Sequence, residues 1–188
     1  MTSGAEAPLP QIELGHGKAE LEIFVEPTCP FSKKAFAKMR QLLASVGEDK
    51  LSIRIRFVSQ PWHMFSPVVM RSILAAGAAG GVAMALKVME GIYERREDFE
   101  FEHHNSGPNM DRTPNDILRD ISKIAGVDLS EAFRLKRVDQ AMRWHARYAR
   151  QNGIHESPTF MINGIVERNM SSGQTVEEWR GLLRAAIG

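Results

Sequence analysis

Residues 25–36 read Val-Glu-Pro-Thr-Cys-Pro-Phe-Ser-Lys-Lys-Ala-Phe, and across this stretch one hydrophobic period gives way to another. Upstream, Leu21, Ile23 and Val25 alternate on one face and Phe24 makes the other partly apolar, which predicts a well-covered strand over 20–26. Downstream, Phe31, Ala35, Met39, Leu42 and Leu43 recur at helical spacing with Phe36 beside them, so a helix is predicted over 30–45. Residues 50–59 return to period two. Leu51, Ile53, Ile55 and Phe57 face one way, and Ser52, Arg54 and Arg56 the other. Strand, helix and strand at these lengths make a βαβ unit with a right-handed crossover and parallel strands.

Beyond it the chain turns helical. A short apolar helix is predicted over 67–76, broken by Gly77, Gly80 and Gly81, and a second runs from 82 to 95 through Val82, Leu86, Met89 and Tyr93. Residues 99–113 show no period and read as a surface loop. Thr113, Pro114 and Asp116 form a helix start, and Asp128 with Glu131 repeats the pattern. A longer helix over 135–151 ends at Asn152–Gly153. Two short extended runs, 158–162 and 165–168, meet at Asn163–Gly164, a strong hairpin signal. Thr175 and Glu178 then cap a final helix whose Val176, Trp179, Leu182, Leu183 and Ile187 face inward. The expected organisation is a flexible arm (1–17), an α/β domain built from 18–62 and 154–188, and an inserted helical domain (63–153).

At 188 residues the chain is long enough for one domain with a large insertion. Lys and Arg number 24 against 23 Asp and Glu, a net charge of +1, so no bulk electrostatic case exists for nucleic acid or an anionic membrane. The first ten residues lack a basic segment followed by an apolar core. The Ala/Gly-rich segment 73–86 comes nearest to a spanning helix but is short and rich in glycine. A soluble, cytoplasmic protein is the expectation.

The chain has one cysteine, which excludes an intramolecular disulfide. Cys29 falls where the first strand hands over to the first helix, so its thiol meets the unpaired N–H groups of a helix start. Pro30 suits an early helical position. Ser32 is expected to turn its hydroxyl back towards the sulfur, and Lys33 and Lys34 add positive charge. All favour the reactive thiolate. Glu26 opposes ionisation, or relays the proton.

The segment VEPTCPFS resembles the active-site element of the thioredoxin superfamily, with Cys29-Pro30-Phe31-Ser32 in place of the two-cysteine motif. The long helical insertion resembles that of the DsbA-type thiol–disulfide oxidoreductases. Glu156-Ser157-Pro158-Thr159-Phe160 resembles the family's cis-proline loop and the strand that follows. The resemblance implies an α/β, thioredoxin-like fold with an inserted α-helical domain, and a cis bond before Pro158. It also implies that Ser157, Pro158 and Thr159 face Cys29 and pair with a peptide or with glutathione. The departure from the pattern is Ser32, which stands where the family has its resolving cysteine. Without that second thiol a mixed disulfide on Cys29 needs an external thiol for release.

Further candidates come from the loops. Parallel strands end at the same sheet edge, so Trp62 and His63, after the second parallel strand, belong near Cys29. His63 is a candidate proton partner, since imidazole titrates near neutrality. Trp62, with Phe31 and Phe65, offers an apolar wall. His103 and His104 lie in the unpatterned loop; their spacing matches no metal motif, and a lid over the cleft is the better reading. His145 reads as a packed, hydrogen-bonded histidine. The basic run Arg134, Lys136, Arg137, Arg143, Arg147 and Arg150 reads as a solvated face, or as a site for an anion such as a glutathione carboxylate. His155 lies near the cleft.

The expected function is a DsbA-like oxidoreductase acting through one cysteine by mixed-disulfide chemistry with glutathione or a protein thiol. Cys29 is the nucleophile, Ser32 and His63 assist, and Pro30, Phe31, Trp62, Ser157, Pro158 and Thr159 contact the partner. No tightly bound cofactor and no metal is expected, and glutathione is a co-substrate. The apolar insertion surface leaves room for a homodimer. Two alternatives stay open: a glutathione-dependent transferase or isomerase, and a non-catalytic peptide- or protein-binding module.

Overall fold

The computed structural model describes residues 7–188. Five strands, β1 (Glu13–Gly15), β2 (Ala19–Val25), β3 (Leu51–Phe57), β4 (Thr159–Ile162) and β5 (Ile165–Val166), form one sheet in the order β1-β3-β2-β4-β5. β2 and β3 are parallel, with Leu21 opposite Ile53 and Val25 opposite Phe57, and α1 (Pro30–Val46) is the crossover between them. β4 runs antiparallel to β2, pairing Phe160 with Ile23. The two ends of the chain therefore meet at the centre of one sheet.

Residues 1–6 of the expected arm lie outside the described residues. The remainder does not run loose to Gly17, because β1 pairs antiparallel with β3 and Ile55 N–H donates to the carbonyl of buried Ile12 (2.9 Å). Three residues carry too little period to announce a strand.

α1 and α6 (Val176–Ile187) cover one face of the sheet. Trp179 is fully buried, its ring meeting Phe160 at 5.1 Å and its indole N–H donating to Ser171 O (2.8 Å). The opposite face is covered by α5 (Lys136–Gln151), whose Tyr148 stacks on Phe24 (5.8 Å) and whose His145 Nδ1 accepts from Phe57 N–H (3.2 Å). So one helix of the inserted block packs directly on the sheet, because Phe24 makes that second face apolar too.

α2 (Ser66–Glu94) consists of two helices that meet at a kink, as the glycines predict. Gly80 (φ −140°) and Gly81 (φ +72°) leave helical conformation and separate the two, while Gly77 stays within the first. Ile73 and Ala76 before the bend, and Ala85 and Met89 after it, are buried in the same core, so packing holds both halves against the glycines' low helix propensity. By length and composition α2 could cross a membrane, yet half of its most apolar window is buried inside the fold, as in a core helix. α3 (Pro114–Ala125) and a one-turn α4 (Ser130–Phe133) complete the block.

Thr113 with Asp116 and Thr175 with Glu178 form complete capping boxes. Asp128 with Glu131 does not: Asp128 accepts from the Ser130 N–H and hydroxyl, and α4 begins after Leu129 without a side-chain cap. Asn163 (φ +49°) and Gly164 (φ +81°) supply the two left-handed residues of the β4–β5 hairpin.

Candidate active site

β2 delivers the chain into a tight turn at its C-terminal end. Cys29 N–H donates to Glu26 O (3.2 Å), Cys29 stands at the N-cap of α1 in extended conformation, and Lys33 N–H returns to Cys29 O (3.0 Å). Pro30 at the first helical position has no N–H to satisfy. A negative charge on this sulfur would meet the positive end of α1. Cys29 itself is only 5% exposed. Its thiol lies 3.7 Å from Ser157 O, and the Ser157–Pro158 bond is cis. Pro158 and Thr159 line a groove of about 400 Å³ together with His155 and Glu156. The two distant halves of the chain therefore converge on one sulfur.

Ser32 is fully buried but does not serve as the expected hydroxyl donor to the sulfur. Its Oγ accepts from Glu26 N–H (3.1 Å), tying the first turn of α1 to the end of β2. The bend between strand and helix leaves that N–H without a ladder partner, and Ser32 is the nearest acceptor.

Glu26 is wholly buried. Its Oε2 accepts from both Thr28 N–H (2.8 Å) and the Thr28 hydroxyl (2.9 Å). Burial pushes the carboxyl up to about 7, against the opposing pull of Ser66, Thr28 and the backbone at Cys29. Ser66 acts from outside good hydrogen-bond geometry, so Glu26 Oε1 has no bonded partner among the described residues and is the natural seat of the carboxyl proton. The Thr28 hydroxyl also meets His63 Nδ1 at 2.9 Å. With the hydroxyl proton directed at Glu26, the imidazole proton sits on Nδ1. Glu26, Thr28 and His63 thus form a buried polar chain beside the thiol.

His63 reaches the site but does not titrate near neutrality, as sequence suggested. Burial, with His104 and Arg96 nearby, pushes it down to about 4, so it is a neutral ring at pH 7. Its Nδ1 lies 3.5 Å from Glu100 Oε2, and Glu100 is paired with Arg96. Arg96 also donates to Thr28 O (3.3 Å). Under the turn, the Tyr93 hydroxyl approaches Glu26 O at 3.5 Å, and burial together with Glu26 and Cys29 holds that phenol well above its ordinary value. Sequence reasoning passed over Thr28, Tyr93 and Arg96. Arg96 follows α2 directly, and only the tertiary fold returns that helix end to the cysteine.

The histidine loop sits over this cluster. Glu102 and Ser106 bridge, and His103 (φ +51°) and His104 (φ +65°) occupy the two left-handed positions of the turn between them. The His104 ring meets His63 edge-on at 5.1 Å, and both His103 and His104 are exposed. No group of three metal-binding side chains occurs among the described residues. Phe31 and Trp62, close along the chain to Cys29 and His63, are 54% and 51% exposed. Phe65 is instead buried against Phe101, so it supports the loop and does not join an open wall.

A βαβ unit with a thiol at the start of its helix, a facing X-Pro turn and a helical block before the returning strands define a thioredoxin-like protein with a DsbA-type insertion. The thioredoxin family model matches residues 9–185. A candidate protein-disulfide isomerase from Pseudomonas syringae is 53% identical, with a TM-score of 0.89 over 92% of this chain and 97% of that one. Oxidised BdbD from Bacillus subtilis (TM-score 0.68, 13% identity, 96% of each chain) and DsbA2 from Pseudomonas aeruginosa (0.65, 16%, 96% and 97%) share the fold. Comparison with curated sequences yields no match. The chain belongs to the thioredoxin family, shares its fold with DsbA-type proteins and carries a single thiol, Cys29.

Proposed function

We propose that the protein exchanges disulfides through Cys29 alone, with glutathione or a protein thiol as its partner. The observation that carries this reading is the sulfur at the N-cap of α1, 3.7 Å from Ser157 O. In the first step the Cys29 thiolate attacks one sulfur of a disulfide. A Cys29–S–S–R bond forms, the original S–S bond breaks, and the second sulfur leaves as a thiolate that takes up a proton. In the second step an external thiolate attacks the mixed disulfide and Cys29 returns as thiolate. Two electrons move between the partners and none is gained or lost overall. The backbone at Ser157 would align an extended partner, with Pro158 and Thr159 beside it, while Phe31 and Trp62 would cover its apolar parts. The ionised form of Glu26, whose carboxyl is held at about 7, would take up the thiol proton and return it, with Thr28 and His63 hydrogen-bonded beside it, and the loop at His103 and His104 would close over it.

The test is incubation with oxidised glutathione followed by intact-mass measurement, then addition of reduced glutathione. One glutathione per chain, absent in Cys29→Ser and released by the added thiol, is the expected result. Absence of an adduct together with slow alkylation of native Cys29 by iodoacetamide would refute both enzymatic readings and favour a binding module. Fast alkylation without an adduct would favour the transferase.

A further inference from the structure

A cleft of about 550 Å³ opens between the segment 8–12, β3, α2 and α5, and it shares no lining residue with the Cys29 cluster. That volume is within the usual range for small-molecule sites, roughly 300–1,000 Å³. Its inner surface includes the buried apolar side chains of Ile12, Ile55 and Leu74, and Trp144, stacked on Tyr148 (4.8 Å) with the Arg56 guanidinium over its ring (4.8 Å), borders it. Among the described residues no carboxylate lines it, whereas Arg56, Arg137 and Arg147 do. Arg56 is already answered by buried Glu22 at 2.6 Å and adds little net charge. Arg147 has no ion-pair partner among the described residues, and Arg137 reaches Ala78 O (3.2 Å) from the same rim.

The second observation lies inside. His145 lines the cleft while only 8% exposed. Its Nδ1 accepts from Phe57 N–H, so the neutral ring must carry its proton on Nε2. Burial, with Arg56 nearby, holds that ring neutral by pushing it down to about 3. The Nε2–H donor has no acceptor among the described residues. The atom is not sealed from solvent, so a ligand oxygen in the cleft could accept from it.

We propose that this cleft binds a small organic anion, a carboxylate carried on a flat apolar body, with its oxygens at His145 Nε2 and Arg147 and its body along Ile12, Ile55 and Leu74. The reading is independent of any chemistry at Cys29. The test uses 2-naphthoate and its uncharged counterpart 2-naphthalenemethanol, titrated calorimetrically into the full chain. Naphthoate should bind one per chain, and the alcohol about ten-fold or more weaker, as expected for loss of a charge-assisted hydrogen bond. Exposed Arg147→Gln should weaken naphthoate by a similar factor and leave the alcohol unchanged. Ala141→Leu, which adds bulk to the lining, should abolish binding of both. Naphthoate should also shift the His145 Nε2 resonance, a signal that a nonspecific surface contact would not move. No binding at millimolar probe, equal affinity for the two probes, or indifference to Arg147→Gln would each overturn the proposal. So would sensitivity to Trp62→Phe without sensitivity to Arg147→Gln, which would move the site to the Cys29 side.

Discussion

Replacing Glu26 by Gln tests whether the buried carboxyl beside Cys29 costs the fold stability when it ionises. Folding raises this group from 4.5 to about 7 through burial. Between those limits the native state holds a proton that the unfolded chain has released. Glu26 therefore makes stability fall as pH rises from 4.5 to 7, with no further change above. A shift of this size corresponds to about 3 kcal/mol, as an order of magnitude. Glutamine keeps the oxygen that accepts from Thr28 and places an N–H₂ where Oε1 stands, next to the unbonded Ser66 hydroxyl. His63, pushed down to about 4, and His145, pushed down to about 3, work in the opposite sense, because their unfolded forms take up protons as pH falls below 6.5. Wild type should consequently gain stability as pH rises from 4.5 to 6.5, and only the difference between variant and wild type isolates the carboxyl. Urea unfolding followed by circular dichroism at intervals from pH 4.5 to 8 gives that difference. Glu26→Gln should gain about 3 kcal/mol on wild type across the window. A difference that stays flat within 0.5 kcal/mol would refute a carboxyl raised by burial, whatever constant offset the substitution brings.

Three further outcomes follow from the same geometry. Ser32→Ala should cost about 1–3 kcal/mol in urea unfolding by orphaning the buried Glu26 N–H, and Ser32→Cys should introduce disulfide-exchange activity, measured by reduction of a dithiol-specific substrate. Arg56→Met should cost about 3–5 kcal/mol by leaving buried Glu22 without its cation, while Glu22→Leu with Arg56→Met should cost less than that single change; equal costs would argue that the pair is not a buried ion pair in energetic terms. Replacing His103 by Asn and His104 by Gly should raise the thermal midpoint, since both positions are left-handed, and should raise the titration midpoint of His63 seen by NMR as the His104 ring is lost. An unchanged His63 titration would separate the loop from the site.

The sequence carried the βαβ unit plainly because Leu21, Ile23 and Val25 and then Phe31, Ala35 and Met39 keep strict periods, and all but Phe31 are fully buried. β1 escaped because three residues show no period, and its pairing depends on β3 far along the chain. The break in α2 was legible because Gly80–Gly81 has low local helix propensity; what was not is that both halves would pack into the same core. At the site the position of Cys29 was legible from the handover of strand to helix, and His63 from the shared edge of parallel strands. Two things were not: which atom the Ser32 hydroxyl would meet, and that Arg96 would return to Thr28. Both depend on side-chain direction after folding.

The commitment of Ser32 bears directly on how a monothiol version of this site would work. In a two-cysteine site the residue at this position attacks the mixed disulfide; here it holds the Glu26 N–H and so fixes the turn that presents Cys29. The same residue cannot both maintain that hydrogen bond and release a partner. Release then falls to a thiol from solution, and it has to reach a sulfur that is only 5% exposed, past Ser157 O. Under the proposed chemistry this makes access the selective step. A small thiol such as glutathione should resolve the mixed disulfide faster than a folded protein thiol of matched reactivity. If the two resolve at equal rates, burial of Cys29 does not govern turnover.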